Sequence, residues 1–261
     1  MSTVATNTAL YAYGVVAAEC AADVPRAAAG VELQAVAADP LAVVSSVVSL
    51  DEFGEEALRS NLNDRDWLER HARLHEDVLL AVAAAAAVVP FRFGTICLTA
   101  DDLRALVDER RDALAASLAR VRGRVEVGVK LWVDESRLAS ALQPDADETP
   151  KSGRAYLEAR RADRRRAADA DAVVADVARD AYRRLSPLAV AGVVNRPQPR
   201  ELTGRDERML LNAAFLVETG DTDLRDEAAR LDAELRERGF VLELTGPWPP
   251  HNFVDETEVQ E

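Results

Sequence analysis

Val88-Val89-Pro90-Phe91-Arg92-Phe93-Gly94-Thr95 is a short apolar run closed by glycine and set between two long helical patterns. Its β-branched and aromatic residues read as a buried strand, with Pro90 near the start, where a missing N–H is tolerable, and Gly94 permitting a sharp exit. Arg92 is the anomaly in it. A charged side chain in such a run either points off the sheet to solvent or pairs with a carboxylate, and the second course makes it a candidate interaction residue.

The flanking patterns give this strand a place in a sheet. Ala9–Val16 has strand composition, Asp23–Ala29 reads as a short helix ending at Gly30, and Val31–Ala37 with Leu41–Val48 reads as a hairpin turned at Ala38-Asp39-Pro40. From Asp51 the period changes. A short acidic helix reaches about Ser60, Asn63 or Asp64 caps the next, and Trp67, Leu68, His71, Leu74, His75, Val78, Leu79 and Val82 recur at three and four. That long one-sided helix delivers the chain to Val88–Phe93. Strand, helix, strand, strand, helix, strand is the split order of a ferredoxin-like unit.

The order then repeats. Thr99 and Asp102 bracket the start of a helix that runs to Val121 and stops at Gly123. Glu126–Val133 alternates, with Val127, Val129, Leu131 and Val133 on one face and Glu126, Gly128, Lys130 and Trp132 on the other, which leaves the second face available to something else. After a turn-rich linker at Gln143–Ser152 come a long helix from about Gly153 to Leu185, strands at Leu188–Val194 and Arg208–Val217, a helix from near Asp221 to Arg238, and a last strand at Phe240–Leu244. The expected fold class is therefore α/β of the α+β kind, two tandem ferredoxin-like βαββαβ units and a C-terminal extended tail. Residues 1–122 make the first unit with a connecting helix, 123–246 the second, and 247–261 a Pro-rich and then acidic tail.

With 32 basic against 46 acidic residues the chain carries a net charge of −14, which repels a phosphate backbone and argues against nucleic acid. Cys20 and Cys97 are too few for a disulfide scaffold and lack zinc or redox spacing, so a reducing cytoplasm is the expected home. The longest apolar run, Val78–Val89, is too short to span a bilayer, and no basic residue precedes Leu10–Ala18 as a signal peptide would require.

Three stretches together resemble one family, the gas vesicle proteins GvpL/GvpF: Pro90-Phe91-Arg92-Phe93-Gly94-Thr95, Asn212-Ala213-Ala214-Phe215-Leu216-Val217 and, above all, Thr245-Gly246-Pro247-Trp248-Pro249-Pro250-His251-Asn252-Phe253-Val254. Leu10-Tyr11-Ala12-Tyr13-Gly14-Val15, His75-Glu76 and Glu126-Val127-Gly128-Val129-Lys130 support it, in the family's order. Phe91 and His251-Asn252 depart from the family's commoner residues. The resemblance implies two α/β domains and a tail, no catalytic activity, and an accessory role in gas vesicle formation in a prokaryotic cytoplasm. The implied partners are the hydrophobic GvpA-type shell protein and other accessory proteins.

The candidate partner-binding residues are Phe91, Arg92, Phe93, Lys130, Trp132, Arg161, Arg165, Trp248 and Phe253. Three prolines in four residues fix an extended course for the tail beyond Gly246, one that cannot continue the last strand. Trp248 and Phe253 then serve either as a docking element or, more in keeping with a monomer's need to cover aromatics, as plugs that clamp the tail onto its own domains. His71 and His75 share a helix face but have no evident third ligand, so they read as packing histidines, and no metal or cofactor is expected. No Gly-rich phosphate loop, Gly-x-Ser-x-Gly elbow or Cys-His pair is present in the sequence. The leading expectation is a non-enzymatic assembly factor, localised to the cytoplasm and the gas vesicle, that keeps apolar shell subunits from aggregating. A minor structural component of the finished vesicle is the alternative.

Lys151–Arg166 holds seven basic residues against two acidic ones in an otherwise acidic chain. It reads as a solvated helix face or as a contact for an acidic partner surface. Reversing Arg161 and Arg165 to Glu is expected to weaken capture of other gas vesicle accessory proteins about tenfold at low salt and much less at ~0.5 M salt. Unchanged capture in a pull-down would remove this segment from the partner surface.

Overall fold

The structure, a computed structural model, describes residues 7–142 and 170–254. The chain forms two compact units, Met1–Val125 with Trp248–Glu261, and Glu126–Pro247.

In the first unit β1 (Thr8–Ala17) leads through a 3₁₀ turn and a small hairpin, β2 (Ala27–Ala28) with β3 (Val31–Glu32), to the long hairpin β4 (Gln34–Ala38) and β5 (Leu41–Ser49). Helices α1 (Leu50–Phe53), α2 (Glu55–Asn61) and α3 (Arg65–Ala85) follow, then β6 (Val89–Pro90), β7 (Ile96–Cys97), α4 (Ala100–Asp108) and α5 (Arg111–Val121). The sheet order is β4-β5-β1-β6, with β7 also on β1, and the β4–β5, β5–β1, β1–β6 and β1–β7 pairs are antiparallel. That is the order a split β-α-β pattern produces. The expected helix at Asp23–Ala29 is absent, and the small hairpin takes its place in the crossover.

Both faces of this sheet are covered. Tyr11, Tyr13, Val16, Ala42 and Val44 pack against Trp67, Val78, Leu79 and Val82 of α3, while Ala12, Val15, Leu41, Val43, Val89 and Phe91 pack against Leu103 and Val107 of α4 and Leu114 and Leu118 of α5. Alternation lets β1 supply both cores, and a β-bulge between Ala12 and Gly14 moves it by one residue, so that Val16 joins Tyr11 and Tyr13 on one face and Val15 joins Ala12 on the other. Caps fix the helix starts. Asp64 accepts from the N–H groups of Asp66 and Trp67, and Thr99 and Asp102 form a reciprocal capping box. The helix read from Thr99 to Val121 is broken at Glu109-Arg110, a break no Pro or Gly announces.

The second unit contains β8 (Arg124–Val133), α6 (Glu135–Leu142), α7 (170–185), β9 (Ala191–Asn195), α8 (Arg200–Thr203), β10 (Arg208–Glu218), α9 (Asp223–Arg236) and β11 (Phe240–Trp248). Its strand order, β11-β8-β10-β9, repeats that of the first sheet. Val174, Val177, Ala181 and Leu185 of α7 and Leu224, Ala228, Leu231 and Leu235 of α9 are buried at helical spacing. Arg184 ties the two helices, its Nε 2.8 Å from Glu227 Oε1 and its Nη1 2.7 Å from Glu234 Oε2, and these bonds hold both carboxyls below the usual range. The sequence places the last strand at Phe240–Leu244 with a tail that cannot continue it, whereas β11 runs on through Pro247 to Trp248. Its position at the sheet edge accounts for this, since an edge strand can lack an N–H on its outer side. The expected linker at 143–152 and the helix before residue 170 lie outside the described residues.

At Gly14, paired with Pro90, an added Cβ would lie 2.6 Å from the Val89 carbonyl oxygen and 2.9 Å from Val88 Cγ2. Gly14→Ala is therefore expected to lower the thermal transition, costing about 1–3 kcal/mol through forced separation of β1 and β6. An unchanged melting temperature would mean this approach is not tight.

Candidate functional site

Pro90–Thr95 is not a continuous strand. Phe91 N–H donates to the Tyr13 carbonyl (2.8 Å) and Ala12 N–H to the Thr95 carbonyl (2.8 Å), but between them the chain leaves β1 in a tight turn, closed by Thr95 N–H on the Arg92 carbonyl and by Gly94 at φ 83°. The strand read from sequence at Val88–Phe93 is thus only Val89–Pro90, followed by a turn in which Arg92 is exposed and Phe93 packs inward, and a second short strand begins at Ile96. The physical reason is Gly94: a left-handed residue takes the backbone out of the ladder.

The turn is held from beneath by a relay of hydrogen bonds. Gly94 N–H donates to the Tyr11 hydroxyl (3.0 Å), which donates to His75 Nδ1 (3.0 Å), and the other ring nitrogen of His75 donates to the Phe91 carbonyl. His75 is 4 % exposed, and burial pushes its pKa down to about 4, against smaller opposite effects of Glu76 and the Phe91 carbonyl. Burial also pushes the Tyr11 hydroxyl up, so both remain neutral. His71 belongs to the neighbouring aromatic cluster, stacked 4.0 Å from Trp67 with Nδ1 donating to the Trp67 carbonyl (2.8 Å) and Nε2 3.3 Å from Glu52. The two histidines thus sit within aromatic packing.

The tail meets the same place. His251 Nε2 lies 2.9 Å from Glu76 Oε1, a contact that keeps the Glu76 carboxyl below its ordinary range, and Arg120 Nη1 donates to the Phe253 carbonyl (3.3 Å). Phe253 is buried, and Val254 packs against the α4–α5 core. The Pro-rich stretch ends in a 3₁₀ turn at His251–Phe253 rather than continuing extended.

Together these elements enclose a cleft of about 260 Å³ within the first unit. Val89, Phe91, Leu106, Leu114 and Val254 line it as apolar wall, and His75, Glu76, Arg92, Arg110 and His251 are its charged or ionisable groups. Arg110, the N-cap of α5, has a buried Nε without a hydrogen-bond partner among the described residues. Sequence reasoning missed Arg110, Leu106 and Leu114, because they reach the cleft only through the unannounced break between α4 and α5.

Of the residues singled out from sequence, the cleft gathers Phe91, Arg92 and Phe93. Phe253 is a plug in the first unit, whereas Trp248 is 38 % exposed. Lys130 and Trp132 lie in the second unit, and the face they share is not open at Trp132, which is 2 % exposed. Arg205 stacks 4.4 Å over the indole, and Glu243 accepts from Trp132 Nε1 (3.2 Å) and from Arg205 (2.9 Å), closing that face with a charge-balanced set. Arg161 and Arg165 lie outside the described residues.

The family model described as "Gas vesicle synthesis protein GvpL/GvpF" matches residues 9–255. Gas vesicle protein L of Streptomyces sp. is 36% identical over 225 residues, covering 85% of this chain and 83% of that protein. Gas vesicle protein F2 of Halobacterium salinarum is 31% identical over 195 residues, 74% of this chain and 71% of that one. The crystal structure of gas vesicle protein GvpF from Anabaena sp. PCC7120 superposes with a TM-score of 0.69 at 18% identity, over 97% of this chain and 99% of that chain, so the mixed α/β fold is shared.

Because His75 is neutral when folded and its pKa is depressed from 6.5 to about 4, the unfolded chain binds the proton first, and stability is lost as pH falls through that window. Between pH 7 and 5 this group alone should cost ~2 kcal/mol. His75→Gln, which has no proton to gain there, should show a correspondingly flatter denaturant-midpoint profile. Equal slopes would mean His75 is not held neutral.

Proposed function

Since this chain belongs to the GvpL/GvpF family of gas vesicle synthesis proteins, we propose that it acts in vesicle formation as a non-enzymatic assembly factor that binds the apolar shell protein and prevents its premature aggregation. The partners are the GvpA-type shell protein and other gas vesicle accessory proteins, and the place of action is the cytoplasm and the growing vesicle. No helix among the described residues is long and apolar enough to cross a membrane.

The observation that carries this reading is the edge of the second sheet. β9, Ala191-Gly192-Val193-Val194-Asn195, pairs with β10 on one side and ends the strand order on the other. It carries neither charge nor proline, the usual protections of a sheet edge, and Val190 and Val194 are about half exposed (49% and 56%). An extended apolar segment of a partner can add to such an edge, with main-chain hydrogen bonds giving affinity. The net charge of −14 meanwhile keeps copies of this chain apart.

Mixed with shell protein freshly diluted from denaturant, the chain should hold it in the supernatant after centrifugation and co-elute with it. Val193→Pro and Val194→Pro are made separately, because successive N–H groups along a strand point to opposite sides and one variant spares the bonds to β10. The variant that keeps its thermal transition should lose retention of the shell protein. Retention by that variant would exclude β9, and pelleting of shell protein beside the unmodified chain would exclude direct chaperoning.

A further inference from the structure

The first-unit cleft has a feature that neither the fold nor strand addition explains. Arg110 carries a permanent charge, yet its Nε is removed from solvent with no acceptor among the described residues. An unmet charged donor of this kind is costly and uncommon in a folded chain. Glu76 is the one carboxylate in the lining, and it is engaged by His251 at 2.9 Å. His75 stays neutral and bound within the relay. Arg92 stands exposed at the same cleft. In a chain of net charge −14, this small space therefore holds two guanidinium groups against a single carboxylate that is already engaged.

The walls narrow the ligand further. Val89, Phe91, Leu106, Leu114 and Val254 are apolar, and about 260 Å³ accommodates one or two side chains, below the range of sites that enclose a nucleotide or an organic cofactor. We propose that the cleft binds a carboxylate carried beside an apolar side chain on a short segment of a partner protein, with the carboxylate on Arg110 and the apolar group against Leu106, Leu114 and Val254. A guanidinium fork suits a carboxylate, and a donor held away from water, as Arg110 Nε is, gains from the pairing. The site lies in the other unit from β9 and does not depend on strand addition. It rests on the assembly-factor reading only in taking the ligand from a partner protein.

The test is calorimetric titration of the full chain with three probes: acetyl-Val-Leu-Glu-amide, acetyl-Val-Leu-Leu with a free terminal carboxylate, and neutral acetyl-Val-Leu-Gln-amide. At least one acidic probe should bind saturably, about tenfold or more tighter than the neutral one, and Arg110→Gln should abolish that difference. Which acidic probe binds distinguishes a side-chain from a chain-terminal carboxylate. Equal binding of acidic and neutral probes, unchanged binding by Arg110→Gln, or no binding of either acidic probe at millimolar concentration would overturn the proposal. Should Arg110→Gln melt early, the unmodified chain decides: affinity for the acidic probe must fall severalfold from ~0.05 to ~0.5 M salt, and a salt-independent affinity overturns it. Shell-protein retention is a separate measurement, so either can fail while the other stands.

Discussion

The hydrogen-bond relay from Gly94 through Tyr11 to His75 and on to Phe91 fixes most of what is distinctive in the first unit. A turn that leaves a sheet exposes backbone donors and acceptors over an apolar layer, and such groups must be matched. Tyr11 and His75 supply the match from β1 and α3, at the cost of keeping an imidazole neutral inside aromatic packing. Once the turn is held, Arg92 projects, Phe93 packs edge-on against Tyr11, Trp67 and His75, Phe91 closes the opposite core, and a space is left beside α4 and α5. Glu76, the residue after His75, then faces His251 of the tail, so one turn of α3 anchors both the projecting turn and the chain end.

The second unit satisfies similar demands by charge pairing. Glu243 is shared by Trp132 and Arg205, and Glu227 and Glu234 are shared by Arg184. Such sets cover Trp132 and join two helices, while β9 has no strand partner on its outer side among the described residues. Natural edges are usually blunted by charge, proline or a bulge, because an unprotected one is a template for pairing with another chain. In a family of gas vesicle synthesis proteins, whose name places its members at vesicle formation, that edge is a reason to look for a partner strand.

Much of the fold was legible because it follows local rules. Asp64 before a three-four apolar stripe, Thr99 with Asp102, the hairpin about Asp39-Pro40 and the repeated split order are each decided by caps, periods and turns within a few residues. Other features were not legible, for reasons equally physical. β11 runs past Pro247 only because it lies at an edge, and the helix read at Asp23–Ala29 yields to a hairpin. Trp132 looked available because alternation cannot show that Arg205 will cover it.

The sequence by itself determined the alternation of strands and helices, the helix starts, and, through its Pro90–Thr95 and Thr245–Val254 stretches, the resemblance to GvpL/GvpF. Only the tertiary structure decided that those two stretches and His75-Glu76 border a single cleft, that Arg110 turns into it, and that His75 is neutral. Desolvation and pairing between residues distant in the chain depend on what surrounds a side chain in space. Periodicity and spacing along the chain carry no record of that.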